Sequence, residues 1–245
     1  MKNRFLLYAI LFFLMSTAIV LILCFAFGVF DTNGMPPDST QTNTAPTRYT
    51  TVIIDAGHGG EDGGASSAAG LVEKDVNLEI SKMIADMLRA GGVNVVMTRE
   101  DDRLLYDRNV DYQGRKKKLD LAARLTVAQN TPDSIFVSIH MNSFTSPKYS
   151  GLQVWYSPNN PDSMALAEII RAFNKDMLQN NNTRKTKEAT DSIFLLDKAT
   201  CPAVLIECGF LSNADEAARF ESTEYKRQVA FVIFCSIVEF LSGEN

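Results

Sequence analysis

The sequence is poor in the residues from which many metal, redox and nucleic-acid sites are built. It has only two histidines, and its four cysteines include no C-x-x-C pair, so a zinc site made of cysteines has no support. Its 24 lysines and arginines are outnumbered by 29 aspartates and glutamates, giving a net charge of −5, and we expect no nucleic-acid partner. The cysteines after residue 30 are odd in number and are expected to be buried free thiols: Cys201, Cys208 and Cys235.

Charge is absent from one long apolar run near the N-terminus. Residues 5–30 contain no charged side chain and exceed the roughly 20 apolar residues that span a bilayer. Lys2 and Arg4 precede the run, so the positive-inside rule places residues 1–4 in the cytoplasm and the rest outside. A cleavable signal peptide is the alternative, but its apolar region usually has about 7–15 residues, and no A-x-A site follows this run. We therefore predict a single transmembrane signal anchor.

The rest of the chain divides into a linker and a folded domain. Residues 31–48 are rich in Thr, Pro, Asn and Ser, a composition typical of a flexible linker. Residues 49–245 alternate between strand and helix patterns, which predicts a three-layer α/β domain with a mainly parallel central sheet flanked by helices. The predicted strands are 51–55, 93–98, 134–140, 152–156 and 203–209, and the predicted helices are 75–92, with Asp75 as N-cap and Gly91 as stop, 117–130, 161–180 and 224–242.

Both histidines follow or end predicted strands. His58 comes just after the strand 51–55, His140 ends the strand 134–140, and Glu207 lies near the end of the strand 203–209. Sites in such sheets lie beyond the carboxyl ends of the strands, so these side chains are expected at one edge. Catalytic zinc is bound by imidazole and carboxylate groups, with three protein ligands and a water. Glu73, at the start of the helix predicted near Asp75, is the candidate third ligand.

Each of these residues also has an ordinary interpretation. A single histidine at a strand end is more often structural, and Glu73 could be a carboxylate favoured by the helix dipole. The glycines around His58 could form a phosphate loop, but the stretch lacks both G-x-G-x-x-G and a terminal Lys-Ser/Thr. Glu207 lies in the apolar run AVLIECGF, where an unpartnered charge is costly, and alternation turns Cys208 to the opposite face.

With these residues identified, the sequence closely resembles the zinc-dependent N-acetylmuramoyl-L-alanine amidases of bacterial cell walls. The resemblance covers nearly all of residues 51–242. Six motifs carry it, in the expected order and spacing: VIIDAGHGGEDGGA, LVEKDVNLEI, MTREDD, RLTVAQN, FVSIHMNS and AVLIECGFLSN. Any one of them alone would be modest evidence, whereas the six together are specific.

The resemblance implies the roles of the site residues. His58, Glu73 and His140 match the positions that bind one zinc ion, and Glu207 matches the catalytic carboxylate. The implied reaction is hydrolysis of the amide between N-acetylmuramic acid and L-alanine in peptidoglycan. Peptidoglycan lies outside the bacterial cytoplasmic membrane, which is where the predicted anchor would hold the catalytic domain. The sequence does not indicate whether an activating protein partner is needed.

Several neighbouring residues have weaker predictions. Asn142 could hydrogen-bond the substrate or form a plain turn, and Asp55 and Asp62 could orient a histidine or cap a turn. Arg99 and Arg124 match positions that the family favours, and we interpret them as members of surface ion pairs. The stretch between Tyr156 and Glu207 is too short for the additional helical insert of some amidases, so an open site is expected.

The segments GASS…LVEKDVNL and SPKYSGLQVWYSPN, with the membrane-anchored form, most resemble the spore-cortex, germination-specific amidases, which act in making muramic δ-lactam. Two alternatives stay open. One is a catalytically silent, membrane-anchored wall-binding or regulatory protein on the same fold, which should have lost zinc ligands or the catalytic glutamate, whereas this sequence keeps all four residues. The other is a zinc peptidase that cuts within the stem peptide.

Overall fold

The computed structural model describes residues 49–243, apart from residues 108, 110 and 111. The predicted anchor at 5–30, the linker at 31–48 and the N-terminal residues 1–4 lie outside the described residues. Among the residues that are described, no helix has the length and apolar character needed to cross a bilayer.

The described chain builds one six-stranded sheet with helices on both faces. Its strands are β1 (Thr51–Ala56), β2 (Asn94–Met97), β3 (Ser134–Asn142), β4 (Gln153–Tyr156), β5 (Lys187–Glu188) and β6 (Ala203–Phe210). Its helices are α1 (Glu73–Ala90), α2 (Lys116–Gln129), α3 (Asp162–Met177), α4 (Phe194–Lys198), α5 (Ala214–Glu221) and α6 (Thr223–Ser242). The sequence-based prediction of an α/β fold is confirmed.

The sheet is mixed, which refines the prediction of a mainly parallel sheet. Its strand order is β2-β1-β3-β6-β4-β5, and β1 pairs in parallel with β2 and β3, as β3 does with β6. Strand β4 is antiparallel to β6. A parallel return from β3 would need a crossover of a dozen or more residues, usually a helix. Residues 143–152 contain no helix, so the chain turns back and β4 runs in the opposite direction.

Alternation along the strands divides the core between the two faces. Val52 and Ile54 pack with α1, α3 and α6, while Ile53 packs on the opposite face with α2 and α4. Strand β6 shows the same division, since Leu205 lies on the α2 side and Cys208 is fully buried on the α1 side. Cys201, Cys208 and Cys235 are free thiols, and only Cys208 is fully buried.

Element boundaries differ from the predictions at one place that matters for the site. Helix α1 begins at Glu73 rather than at Asp75, and its N-cap is Val72, whose side chain makes no capping hydrogen bond. The preceding loop replaces the side-chain cap, because the Glu73 N–H donates to the Ala65 carbonyl and the Lys74 N–H to the Gly63 carbonyl. Asp75 is therefore a first-turn acid and not the N-cap.

Candidate metal centre and active-site cleft

Three polar side chains meet at the carboxyl edge of the sheet. Glu73 Oε1 lies 3.2 Å from His58 Nε2 and 3.0 Å from His140 Nδ1. One ligand atom from each residue lies within 4.8 Å of the others, and the two imidazole rings have their centroids 4.9 Å apart. Two imidazole nitrogens and one carboxylate oxygen, so placed, form a candidate divalent-metal site.

Each of the three groups comes from a different element. His58 follows β1 and has a left-handed backbone conformation with φ of 61°, which is uncommon for a non-glycine residue. Glu73 opens helix α1, and His140 lies in β3 just before a register irregularity between His140 and Asn142. The three therefore converge only when the turn after β1 and the start of α1 fold against the edge of the sheet.

Two glycines leave room for these side chains. A Cβ on Gly57 would collide with the imidazole ring of His140. A Cβ on Gly64 would collide with the carboxylate of Glu73 and lie 2.8 Å from His58 Cδ2, and its φ of 69° also favours glycine. The glycines thus allow the backbone to lie directly against the side chains of the site.

Glu73 is 4% exposed and held by several donors. The Met141 N–H donates to Oε1 at 3.1 Å, and the Ala65 N–H donates to Oε2 at 2.8 Å. Burial alone would raise the pKa of Glu73, but the hydrogen bonds and charges of His140 and His58 more than reverse this and hold its pKa well below the usual range. Glu73 is therefore an ionised carboxylate at neutral pH.

Asp62 contacts the other side of His58. Its Oδ2 lies 2.9 Å from His58 Nδ1, an ion-pair contact without the alignment of a hydrogen bond. Burial lowers the pKa of His58, and the carboxylates of Glu73 and Asp62 outweigh it, so the net pKa is raised. Of the two aspartates predicted to orient a histidine, Asp62 is the one that contacts an imidazole.

Asp55 instead belongs to a buried network beneath the site. It accepts hydrogen bonds from Thr98 Oγ1 at 2.7 Å, Ser138 Oγ at 2.6 Å and Arg124 Nη1 at 2.6 Å. Burial raises the pKa of Asp55, and Arg124, Ser138 and Thr98 together lower it below the usual value. Its link to the site is indirect, since Arg124 Nη2 also donates to the His58 carbonyl at 2.7 Å.

The interpretation of Arg99 and Arg124 as surface residues is wrong, because both side chains are 1% exposed. Arg124 pairs with Asp55 and, through Nε at 2.7 Å, with Asp120. Arg99 donates to the carbonyls of Ala56 and Gly57 at 2.8 and 2.9 Å. Both arginines therefore fix the backbone that leads into His58.

Glu207 lies beside the metal candidates without joining them. It is the Cα partner of His140 in the β3–β6 register, and its Oε2 is buried with no hydrogen-bond partner among the described residues. Burial raises the pKa of Glu207 to about 7, with Glu73 adding to the shift and His140 and His58 opposing it. A carboxyl group with a pKa near 7 can both accept and return a proton at neutral pH.

A cavity of about 260 Å³ opens in front of these groups. Its lining includes His58, His140 and Glu207, and a wall of residues 192–195 at the start of α4 also lines it. The sequence analysis did not identify this wall, because α4 has five residues and is too short for a helical periodicity. Asn142 does not belong to the lining of this cleft within the described chain; it pairs with Phe210, and its carbonyl accepts from the Leu211 N–H.

Comparison with known proteins identifies the family of the chain. The family model for N-acetylmuramoyl-L-alanine amidases matches residues 52–239. A germination-specific N-acetylmuramoyl-L-alanine amidase of Bacillus subtilis is 34% identical over 208 residues, which cover 85% of this chain and 86% of that protein.

Solved structures show the same relationship. The CwlD amidase from Clostridioides difficile, solved in complex with the GerS lipoprotein, is 37% identical with a TM-score of 0.75, and the match covers 80% of this chain and 100% of that one. The amidase AmiC2 of Nostoc punctiforme is 34% identical with a TM-score of 0.66, covering 79% and 97%. The sequence, the fold and the site thus lead to one assignment: the chain belongs to the family of N-acetylmuramoyl-L-alanine amidases and is an enzyme of that class.

Proposed function

We propose that this amidase is a zinc enzyme and that His58, Glu73 and His140 hold one zinc ion. The observation that carries the proposal is the convergence of ligand atoms of these three residues within 4.8 Å of one another, beside a cleft that His58 and His140 line. Two neutral imidazoles and one carboxylate, with an open side, are a ligand set that catalytic zinc uses. The residues present therefore fit the ion.

The proposed reaction is hydrolysis of the amide between N-acetylmuramic acid and L-alanine. When bound, zinc polarises the substrate carbonyl and lowers the pKa of water. Glu207 accepts a proton from the attacking water at its unpaired Oε2 and delivers that proton to the leaving nitrogen of L-alanine. Asp62 contacts the far nitrogen of His58 and keeps the ring oriented, while Arg124 holds the His58 carbonyl.

We place the enzyme on the outer face of the bacterial cytoplasmic membrane, anchored by residues 5–30 with residues 1–4 inside and residues 31–48 as linker. The absence of charge from residues 5–30 and the two basic residues before them support this. The substrate we propose is the peptidoglycan of the spore cortex, on the way to muramic δ-lactam, and the germination-specific name of the Bacillus relative supports a role linked to spores. The lipoprotein complex of the Clostridioides relative supports a protein partner on the membrane.

The test uses the full-length protein in detergent micelles. Bound zinc is quantified, and the same preparation digests peptidoglycan while free stem peptides with N-terminal L-alanine are measured. Wild type is compared with Glu207→Gln, His140→Ala and the control Glu100→Gln, whose side chain is 61% exposed. We expect Glu207→Gln to keep zinc and lose activity, His140→Ala to lose both, and Glu100→Gln to resemble wild type.

The same assay separates the alternatives. The digestion is repeated with a membrane fraction from sporulating cells, which would supply a missing protein partner. If the protein binds zinc and cleaves nothing in either digestion, a catalytically silent binding protein is favoured. Shortened peptides still attached to glycan would indicate a zinc peptidase. For the cortex assignment, a strain lacking the gene should have spores without muramic δ-lactam, and the Glu207→Gln gene should fail to restore it.

A further inference from the structure

Two large aromatic side chains stand exposed on the loop between β3 and β4. Phe144 is 56% exposed and Tyr149 is 39% exposed, and their rings meet edge to face with centroids 5.1 Å apart. Tyr149 also lies 6.3 Å from the ring of Phe210, which is buried. A single exposed aromatic residue is ordinary, whereas a pair packed on a third ring presents a continuous apolar surface to solvent.

The loop that carries these rings is fixed at several points. The Phe144 N–H donates to Ser212 Oγ at 3.0 Å, and the side-chain amide of Asn213 donates to the carbonyls of Pro147 and Tyr149 at 2.9 and 3.3 Å. The Gly151 N–H donates to Glu216 Oε1 at 2.9 Å. The aromatic surface is therefore held in place before any ligand arrives, which reduces the entropy cost of binding.

A second cavity, of about 650 Å³, adjoins this surface and is lined by Tyr149. Its walls are rich in hydrogen-bonding groups, including the amides of Asn180, Asn181 and Asn182. Arg184 also lines it and lies with its guanidinium carbon 4.6 Å from the centroid of Phe210. We call the cavity and the two exposed rings together the aromatic groove.

Phe210, the buried ring on which Tyr149 packs, lies on the same face of the sheet as the proposed catalytic carboxylate Glu207. His140 pairs with Glu207, but Asn142 pairs with Phe210, so β6 contains one extra residue between these pairs. Because residues 140 and 142 share a face, their partners Glu207 and Phe210 share it too. Phe210 lies three residues after Glu207, a separation of at most about 10 Å along a strand.

This combination of groups suits a sugar chain. A pyranose ring has an apolar C–H face that packs on an aromatic ring, while its hydroxyl and acetamido groups need amide and hydroxyl partners. A stem peptide has no such ring face, although Lys148, Arg184 and Arg219 in the cavity lining could pair with its carboxylates. We propose that the aromatic groove binds N-acetylhexosamine units of the glycan strand, with Tyr149 and Phe144 as the stacking surface. The proposal depends on the proposed function in one respect, namely that the sugars belong to the glycan strand of peptidoglycan.

Direct binding tests the subsite independently of catalysis. The probe is a peptide-free octasaccharide of alternating N-acetylglucosamine and N-acetylmuramic acid, titrated into the full-length protein in detergent. Tyr149→Ala and Phe144→Ala should each raise the Kd about three- to tenfold, since an aromatic contact contributes about 0.5–1.5 kcal/mol. Tyr149→Phe, which keeps the ring, should bind within twofold of wild type. The matched control Phe231→Ala removes a ring that is 46% exposed on α6 and should have no effect.

The free stem peptide is titrated in parallel. If both alanine variants bind the octasaccharide as tightly as wild type, or if they lose affinity for the peptide instead, the glycan subsite is wrong. On whole peptidoglycan, the same variants should show a raised KM with an unchanged kcat. Failure of the proposed function would appear differently, as a wild type that binds the octasaccharide normally and releases no peptide.

Discussion

Glu207 and His140 lie side by side as register partners on β6 and β3, yet only His140 contacts Glu73. Glu207 is thus next to the metal candidates, and its Oε2 is buried without a hydrogen-bond partner in the part of the chain that the structure describes. Burial favours the neutral form of this carboxyl group and raises the pKa of Glu207 from its ordinary value of 4.5 to about 7.

This shift has a consequence for stability in the metal-free protein. Folded Glu207 keeps its proton up to about pH 7, whereas the unfolded chain loses it near pH 4.5, so the folded state binds more protons between these values. The free energy of unfolding should therefore fall as pH rises through this window, by up to about 3 kcal/mol. Glu207→Gln removes the titration. Urea unfolding with chelator should show the two proteins alike at pH 4 and the variant more stable at pH 8; parallel pH profiles would contradict this.

Gly57→Ala should abolish tight metal binding while the protein remains folded. The added Cβ would collide with the His140 imidazole, which must then leave its place beside Glu73. Gly91→Ala is the matched control, because its Cβ would come no closer than 3.4 Å to any neighbour. Zinc titration with a competing chelator should show a loss of at least about tenfold for Gly57→Ala and none for Gly91→Ala. Equal affinities for the two variants would mean that His140 is not a ligand.

Asp62→Asn should weaken metal binding without removing a ligand. The carboxylate contacts Nδ1 of His58 at 2.9 Å, and loss of a partner of this kind typically reduces metal affinity about 10–100-fold. Activity should then recover when zinc is added in excess. Asp86→Asn, at a 79% exposed side chain, serves as control. Activity that stays low at saturating zinc would show that Asp62 acts on the substrate instead.

Arg124→Lys should destabilise the protein by about 1.5–3 kcal/mol, since a lysine keeps the charge but cannot reproduce the planar fork that pairs with both Asp55 and Asp120. Arg227→Lys replaces an arginine that is 60% exposed and paired with Glu224, so it should cost less than about 1 kcal/mol. Urea midpoints measured at pH 7 compare the two. A similar small cost for both variants would contradict a structural role for the Arg124 network.

Much of the site could be predicted because sequence pattern and topology act together. His58 follows β1, and His140 and Glu207 lie near the ends of β3 and β6. These three strands are parallel neighbours in the sheet, so their carboxyl ends must meet at one edge. The α/β class was predicted correctly from this pattern, and the amidase family was predicted correctly from the resemblance of six sequence motifs. The chemical roles of the four site residues remain predictions.

Other features depend on contacts that no local pattern carries. Arg124 reaches Asp55 across 69 positions of sequence, so its burial could not be distinguished from surface exposure. The two-residue strand β5 and the five-residue helix α4 are too short to show a period, although α4 forms a wall of the cleft. Helix α1 begins two residues early because the loop before it supplies backbone partners instead of a side-chain cap.

The extra residue in β6 places Glu207 and Phe210 on the same face of the sheet, which regular alternation would not do. With regular pairing, Glu207 and Phe210 would point to opposite faces, because an odd number of steps separates them. The bulge restores them to a common side, so chemistry and ligand recognition can be built on a single rigid element. Inserting one residue into β3 between His140 and Asn142 would restore regular pairing, leave Glu207 in register with His140 and turn Phe210 to the other face. Such a variant would keep the pairing of His140 with Glu207 and remove the buried ring on which Tyr149 packs.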